Sequence, residues 1–323
     1  MAIRIVYDYG RITTDQLVAL MPGSQQKNRR ILRALYRHRY LNRKKISNND
    51  PILYSPAKRG VDVITAERPE NNGQATRIEW TTKNRELQPS SIPHTRGINA
   101  YRFAMDMSLR QLPDAEMLFW YPDKTFRKTV TYTVDFERKT KRCTPDSFWG
   151  ARYRGHRYGG LVEFDKSTMA GTTKREESRI FDKLEALWNL WLKWRERGYE
   201  DRLGVDSLRL FYVTISEQRK ENIRELARAV GDQRNGSDFF WFACQKPYLD
   251  HPFAVLDPIW QTPRDDTHKS IFGSTTGHAA GLDDVTLGPL PPFSLDFDIP
   301  LSPSPTPPPL HVDPHRDAAA PAR

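Results

Sequence analysis

Cysteine is scarce in this chain, with two in 323 residues. Cys143 and Cys244 share no metal-ligand spacing and would be reduced in a cytoplasm, which argues against a zinc ribbon or a disulfide framework. Long hydrophobic runs are missing as well. No stretch approaches the roughly 18 apolar residues of a membrane span, and the start "MAIRIVYDYGRITTDQ" lacks the apolar core of a signal peptide. A cytoplasmic protein with no membrane partner is therefore expected. The eight histidines contain no HExxH, and no glycine-rich stretch stands before a helix as a phosphate loop, since Gly159 and Gly160 read as a turn between strands. Tyr153 and Tyr158 flank His156, but a relaxase needs a histidine cluster beside its tyrosine, and tyrosines in a strand pattern read as packing.

What is abundant is positive charge, and it is unevenly spread. The chain carries a net +10, with 50 Lys or Arg against 40 Asp or Glu. Residues 1–60 hold 13 Lys or Arg and 3 Asp or Glu, so the whole surplus lies there and the remaining 37 of each sign cancel. Basicity concentrated in this way predicts a module that binds a polyanion. With 38% hydrophobic and 11% aromatic residues, the chain can bury one medium core and a smaller one, which predicts two domains.

The basic module reads as a winged helix-turn-helix over residues 1–65. "TTDQLVALM" opens with a Thr13-to-Gln16 capping box and repeats its leucines at helical spacing. Pro22 and Gly23 end that helix, and Ser24 caps "SQQKNRRILRALYRHRYL", whose Ile31, Leu32 and Leu35 form the buried side. Lys27, Arg29, Arg30, Arg33 and Arg37 face outward. "YLNRKKISNNDPILYSPAKRG" reads as strand, Asn-Asn-Asp turn and strand, a wing carrying Arg43, Lys44 and Lys45. The expected partner is double-stranded DNA, with these cations on phosphates and Gln25, Gln26 and Asn28 at base edges. A solvated basic helix or a protein-interaction domain is the alternative.

Residues 66–92 read as a polar linker, and residues 93–262 as an α/β domain. "HTRGINAYRFAMDMSLRQ" has helical spacing at Ile98, Tyr101, Met105 and Leu109, and "AEMLFWYPD" reads as a buried strand. Asp146 then enters the strand "DSFWGARYR", and "LVEFDKST" is the next strand. Alternation puts Glu163 and Asp165 on one face and Lys166 on the other. If Asp146 lies across from them, three carboxylates make a hard-oxygen site for Mg²⁺ or Mn²⁺. The competing expectation is that they pair with Arg152, Arg154 or Arg157. A long helix follows, with Ile180, Leu184, Leu187, Trp188 and Trp191 on one stripe, the tryptophans read as core. Strand, helix and strand ("SLRLFYVTIS", "EQRKENIRELARAVG", "DFFWFACQ") complete a mixed sheet, and Trp260 of "LDPIW" is expected to pack back on it.

These residues resemble the replication-relaxation family of bacterial plasmids, phages and integrated elements. The likeness rests on "YGRITTDQL", "RILRALYRHRYLNR", "LYSPAKRG", "HTRGINAYRF", Pro145–Asp146, "EFDKST" and "LDPIW", over residues 1 to about 262. It implies a second domain of the restriction-endonuclease-like, PD-(D/E)xK type, and a role in replication or relaxation of mobile-element DNA. That pattern places a lysine two residues after Glu163, where this chain has Asp165. Lys183 on the following helix is the candidate replacement, Lys174 a weaker one. Catalytic residues would then be Asp146, Glu163, Asp165 and Lys183, with Mg²⁺ or Mn²⁺ as cofactor and the three carboxylates as its ligands. A non-catalytic transcription regulator, whose second domain makes dimer or partner contacts, is the other reading.

Residues 263–323 are proline-dense and read as a disordered tail. Within it "FSLDFDIPL" offers a strand to a protein partner's sheet edge, or an acidic competitor for the basic module, against a passive tail.

Overall fold

The computed structural model describes residues 1–45, 50–66, 92–122, 128–134, 137–166, 174–195, 203–230, 238–264 and 266–273. All fall within one compact unit, Met1–Pro289. The architecture is mixed α/β. Among the described residues no helix is long and apolar enough to cross a membrane.

The first part runs α1 (Ala2–Tyr9), β1 (Ile12–Thr13), α2 (Thr14–Leu20), α3 (Gln25–Arg37), β2 (Leu41–Lys44), β3 (Leu53–Pro56) and α4 (Lys58–Ala66). Its three short strands form an antiparallel sheet in the order β1-β3-β2. The expected capping box is present, with Gln16 N–H on Thr13 Oγ1 and Thr13 N–H on Gln16 Oε1, both at 3.3 Å. Ser24 caps α3 by accepting from Lys27 N–H at 3.3 Å. Val6, Leu17, Leu20, Leu32 and Leu41 build the small core these helices need.

Helix α4 was not anticipated, because "AKRG" reads as a strand end. Gly60 stands inside that helix for close approach, since a Cβ there would meet the Tyr40 carbonyl oxygen at 2.3 Å. Val61 and Ile64, three apart, turn inward. The Asn-Asn part of the expected wing turn and residues 67–91 of the expected 66–92 linker lie outside the described residues, while Ala66 and Ile92 are helical.

The second part begins with α5 (Ile92–Leu109) and β4 (Ala115–Pro122), followed by a separate antiparallel pair, β5 (Lys128–Val134) and β6 (Glu137–Cys143). This pair was not expected. Then come β7 (Ser147–Tyr153), β8 (His156–Asp165), α6 (Lys174–Arg195), β9 (Ser207–Thr214), α7 (Glu217–Arg228), β10 (Phe240–Cys244) and the short α8 (Lys246–Asp250). The five-stranded sheet has the order β10-β9-β8-β7-β4. β8, β9 and β10 are parallel, and β7 and β4 run antiparallel at the far edge.

Alternation along the strands explains both cores. Phe148, Leu161, Leu210, Tyr212 and Phe240 point to α6 and α7, with Leu184, Leu187 and Trp188 against them. Trp149, Val162, Phe211, Val213 and Trp241 point to α5, with Tyr101 and Trp260 against them. Helices cover both faces, so the central strands read as near-continuous apolar runs. The tryptophans of α6 are core, as expected, and the Trp260 ring lies 4.9 Å from that of Phe211.

Two sequence expectations need correction. The β7–β8 turn is Arg154–Gly155, both at positive φ (50° and 81°), the conformation a two-residue hairpin requires. Gly159 and Gly160 lie inside β8, and a Cβ on Gly160 would meet the Trp149 indole at 2.3 Å. The folded chain also continues past residue 262. Trp260 bridges Lys269, Ile271 is buried, and Phe272 packs on Tyr153 and Tyr158, which accounts for both tyrosines as packing. These apolar anchors hold the segment to the sheet. The tail beyond Gly273, including "FSLDFDIPL", lies outside the described residues.

Candidate functional site

The β7–β8 hairpin sets the site. Asp146, one residue before β7, donates its N–H to the Val162 carbonyl at 2.9 Å. Its carboxylate accepts the Phe164 N–H at 2.8 Å, as a strand carbonyl would have done one step further on. The same oxygen takes His94 Nε2 at 3.1 Å, from the first turn of α5. Glu163 lies next to this point on the α6 side of the sheet, with its side chain only 3% exposed. Lys183 reaches down from α6 and donates to Glu163 Oε2. The other oxygen, Oε1, is buried with no hydrogen-bond partner.

Electrostatics follow from this packing. Burial pushes the Glu163 carboxyl up to about 8, since Lys183 only partly offsets it and Asp146 adds repulsion. For His94 burial disfavours the imidazolium, yet the Asp146 hydrogen bond and charge, helped by Glu163, outweigh it and raise its pKa. Tyr212, the β9 partner of Glu163, is held neutral by burial and by the nearby carboxylates.

A model of the replication-relaxation family matches residues 3–202, well over half of the chain and the whole of this cluster. The chain belongs to the replication-relaxation family. Neither curated proteins nor solved structures give a match.

In this replication-relaxation protein Asp146, Glu163 and Lys183 come together, and Asp165 does not join them. Asp165 shares the sheet face of Glu163, as alternation demands, but its carboxylate accepts from Arg219 Nε at 2.8 Å. Arg219 is buried at the start of α7, whose N-cap Ser216 accepts the Arg219 N–H. A buried guanidinium needs a countercharge, and Asp165 supplies it. Among the described residues no group of three or more His, Cys, Asp and Glu is placed to hold a metal ion, so the three-carboxylate cluster is corrected to a pair.

The expected pairing with hairpin arginines is corrected too. Arg152 bonds Glu116, Arg157 bonds Asp206, and Arg154 stacks on Tyr153. These arginines sit at the turn end of the hairpin, roughly 20 Å along β8 from Glu163 at the usual rise per residue. Lys174 stands at the start of α6, about 13 Å of helix before Lys183, whereas Lys166 lies across the sheet from Glu163. Sequence reasoning missed His94 and Arg219. "HTRGINAYRF" contains the histidine, but nothing local marks it as the partner of Asp146.

The basic module presents most of its predicted DNA-facing residues to solvent. Gln25, Gln26, Lys27, Arg29, Arg30, Arg33 and Arg37 on α3 are exposed, as are Arg43, Lys44 and Lys45 at β2. Arg29 bonds Asp15 on α2 at 2.8 Å, and the Arg43 guanidinium lies over the Tyr36 ring. Asn28 is the exception, being 1% exposed. Its amide donates to the Val18 and Met21 carbonyls at 3.3 and 3.2 Å, satisfying the end of α2. Asn28 shapes the turn between α2 and α3 and cannot read a base edge.

Proposed function

We propose that this protein binds mobile-element DNA through a winged helix-turn-helix formed by its first 65 residues and cleaves a phosphodiester at Asp146, Glu163 and Lys183. Family membership supports a role in replication or relaxation of such DNA. The observation that carries the cleavage reading is the convergence of these three side chains at the open end of the β7–β8 hairpin. It supports a PD-(D/E)xK-like site in which the lysine comes from the helix instead of the strand.

The donor set suits a hard divalent cation. Mg²⁺ is commonly held by one or two carboxylates, keeping several waters and taking substrate phosphate oxygens, without an all-protein cage. Glu163 Oε1, buried and without a hydrogen-bond partner, offers an acceptor beside the charge of Asp146. Asp146 and Glu163 would hold the ion, which when bound supplies Lewis-acid stabilisation of a phosphoryl oxygen. The Phe164 N–H and His94 fix the Asp146 carboxylate so that it needs no reorganisation on binding. Lys183, 44% exposed on one side and bonded to Glu163 on the other, holds a positive charge where negative charge develops. The exposed cations of α3 and β2 dock the duplex by phosphate contacts.

Incubation with supercoiled plasmid and Mg²⁺ or Mn²⁺ tests this. Nicked or linear product that vanishes in Glu163→Gln supports cleavage. The absence of lysine at position 165 favours a second reading, the non-catalytic transcription regulator, and plasmid that is bound but never cut selects it.

A further inference from the structure

A cavity of about 490 Å³ lies on the α5 side of the sheet, behind the candidate site. Its floor is Lys166, Ile215 and Gln245. Each is the residue immediately after one of the three parallel strands, which end at Asp165, Thr214 and Cys244. The cavity thus occupies the crevice outside the carboxyl ends of parallel strands, where open α/β sheets bind ligands. The first turns of α5 form one wall, and the loop between α1 and β1, with Arg11, forms the roof. Asn99 of α5 holds that loop by donating to the carbonyls of Tyr9 and Arg11.

Among the described residues the lining carries three cations, Arg11, Arg96 and Lys166, and no Asp or Glu. Arg96 reaches Asp50 at 2.8 Å from outside the lining. Arg11 is partly desolvated, and burial lowers its pKa, so an anion beside it would gain more than in open water. Between the cations the walls are apolar, from Ile92, Pro93, Phe164 and Leu249, with the Thr95 hydroxyl and the Gln245 amide as polar edges. Apolar walls, a few hydrogen-bonding edges and clustered positive charge, in a volume within the usual range for small-molecule sites, match the parts of a nucleotide.

We infer that this cavity binds one nucleotide unit, its phosphate on Arg11, Arg96 and Lys166 and its base between the apolar walls. Position favours a nucleotide of the DNA strand over a free one. Phe164 and Lys166 line the cavity while Glu163 and Asp165, which alternate with them along the chain, face the other side. Thr95 and Arg96 directly follow His94. A strand leaving the candidate site around the end of β8 would deliver an unpaired nucleotide to the cavity, and enzymes that seat a single base in a pocket take it unstacked. The inference goes beyond the proposed cleavage and needs none; only its strand arm rests on DNA binding.

The experiment uses the full-length chain without divalent metal. Anisotropy compares a labelled blunt duplex with the same duplex bearing a short single-stranded overhang, and thermal melts are run with dAMP. The overhang should tighten binding about tenfold, the scale of one seated base. Lys166→Glu and Arg11→Met should erase this preference and leave blunt-duplex affinity unchanged. A dAMP-dependent rise in Tm, lost in both variants, without any overhang preference would keep the nucleotide site and make the free nucleotide its ligand. An overhang preference retained in both variants, or neither effect in the wild type, overturns the inference. Failure to bind blunt duplex sinks the DNA-binding proposal instead, and the dAMP melts still read the cavity.

Discussion

The Lys183 ammonium rests on the Glu163 carboxylate, joining a half-exposed helix side chain to a strand side chain buried between sheet and helices. The pair is lopsided, so burial raises the Glu163 pKa from 4.5 to about 8 despite the lysine. A carboxyl whose folded pKa exceeds its unfolded one contributes stability that is complete below the unfolded value and lost as pH rises through the folded value. In metal-free buffer the Tm should therefore fall between about pH 5 and about pH 8, with His94, also raised, adding a decline of the same sign. Glu163→Gln should flatten part of that slope in thermal melts. A slope identical to wild type would contradict the buried-acid assignment.

Metal should reverse this cost. A ligand that binds only the folded state stabilises it by RT ln(1 + [L]/Kd), about 2.7 kcal/mol at a hundredfold excess over Kd. Millimolar Mn²⁺ should raise the Tm, and Asp146→Asn or Glu163→Gln should abolish the rise while the metal-free protein stays folded. Lys183→Ala should keep the Mn²⁺ shift and stop plasmid cleavage. An Mn²⁺ shift unchanged in both carboxylate variants would remove Asp146 and Glu163 as ligands.

Asp165 belongs to a different set of contacts from Glu163. Arg219 is 1% exposed and Asp165 14%, and removing one partner of a buried pair leaves the other charge uncompensated, at roughly 3 kcal/mol. Asp165→Asn should lower stability by about that amount in urea titrations and leave the Mn²⁺ shift in place. Loss of the shift without loss of stability would return Asp165 to the metal site.

The contrast between Glu163 and Asp165 shows which features a sequence makes legible. Strand alternation puts both on one face, and the apolar stripe of α6 marks which side of that helix meets the sheet, because both patterns are local. Partner choice is not local. His94 meets Asp146 across 52 residues and Arg219 meets Asp165 across 54, and nothing in either segment's pattern encodes the other. Asn28 was misread for a related reason. Its place in the first turn of a basic helix suggests a base contact, while the close packing of α2 on α3 turns it inward to the carbonyls of Val18 and Met21.

On the basic module, Arg30, Arg33 and Arg37 together should carry about three phosphate contacts. Replacing all three by Ala should reduce the slope of log affinity against log salt by about 3. Arg29→Ala should do less, since its guanidinium is already shared with Asp15. Gln25→Ala should change discrimination between sites by about 1–3 kcal/mol if it reads a base. Asn28→Ala should instead lower stability, by about 1–3 kcal/mol for the carbonyls left unsatisfied. Altered sequence preference in Asn28→Ala at unchanged Tm would overturn its structural assignment.

Gly97 and Phe164 give the most local test of how the fold positions the site. A Cβ on Gly97 would lie 2.0 Å from Phe164 Cζ, so Gly97→Ala forces the ring off α5, at about 1–3 kcal/mol for overpacking. Phe164→Leu in the same protein should recover part of that loss, and a double-mutant cycle should return a coupling of at least about 0.5 kcal/mol. The displacement has a second consequence, because the Phe164 N–H is bonded to the Asp146 carboxylate. Moving the Phe164 backbone shifts the carboxylate that His94 also holds, so Gly97→Ala should weaken the Mn²⁺-dependent rise in Tm although neither residue touches metal. Recovery of the Mn²⁺ response together with stability in the double variant would mean that Phe164, through its backbone, sets the position of Asp146. An unaltered Mn²⁺ response in Gly97→Ala would show that Asp146 is fixed by the hairpin alone.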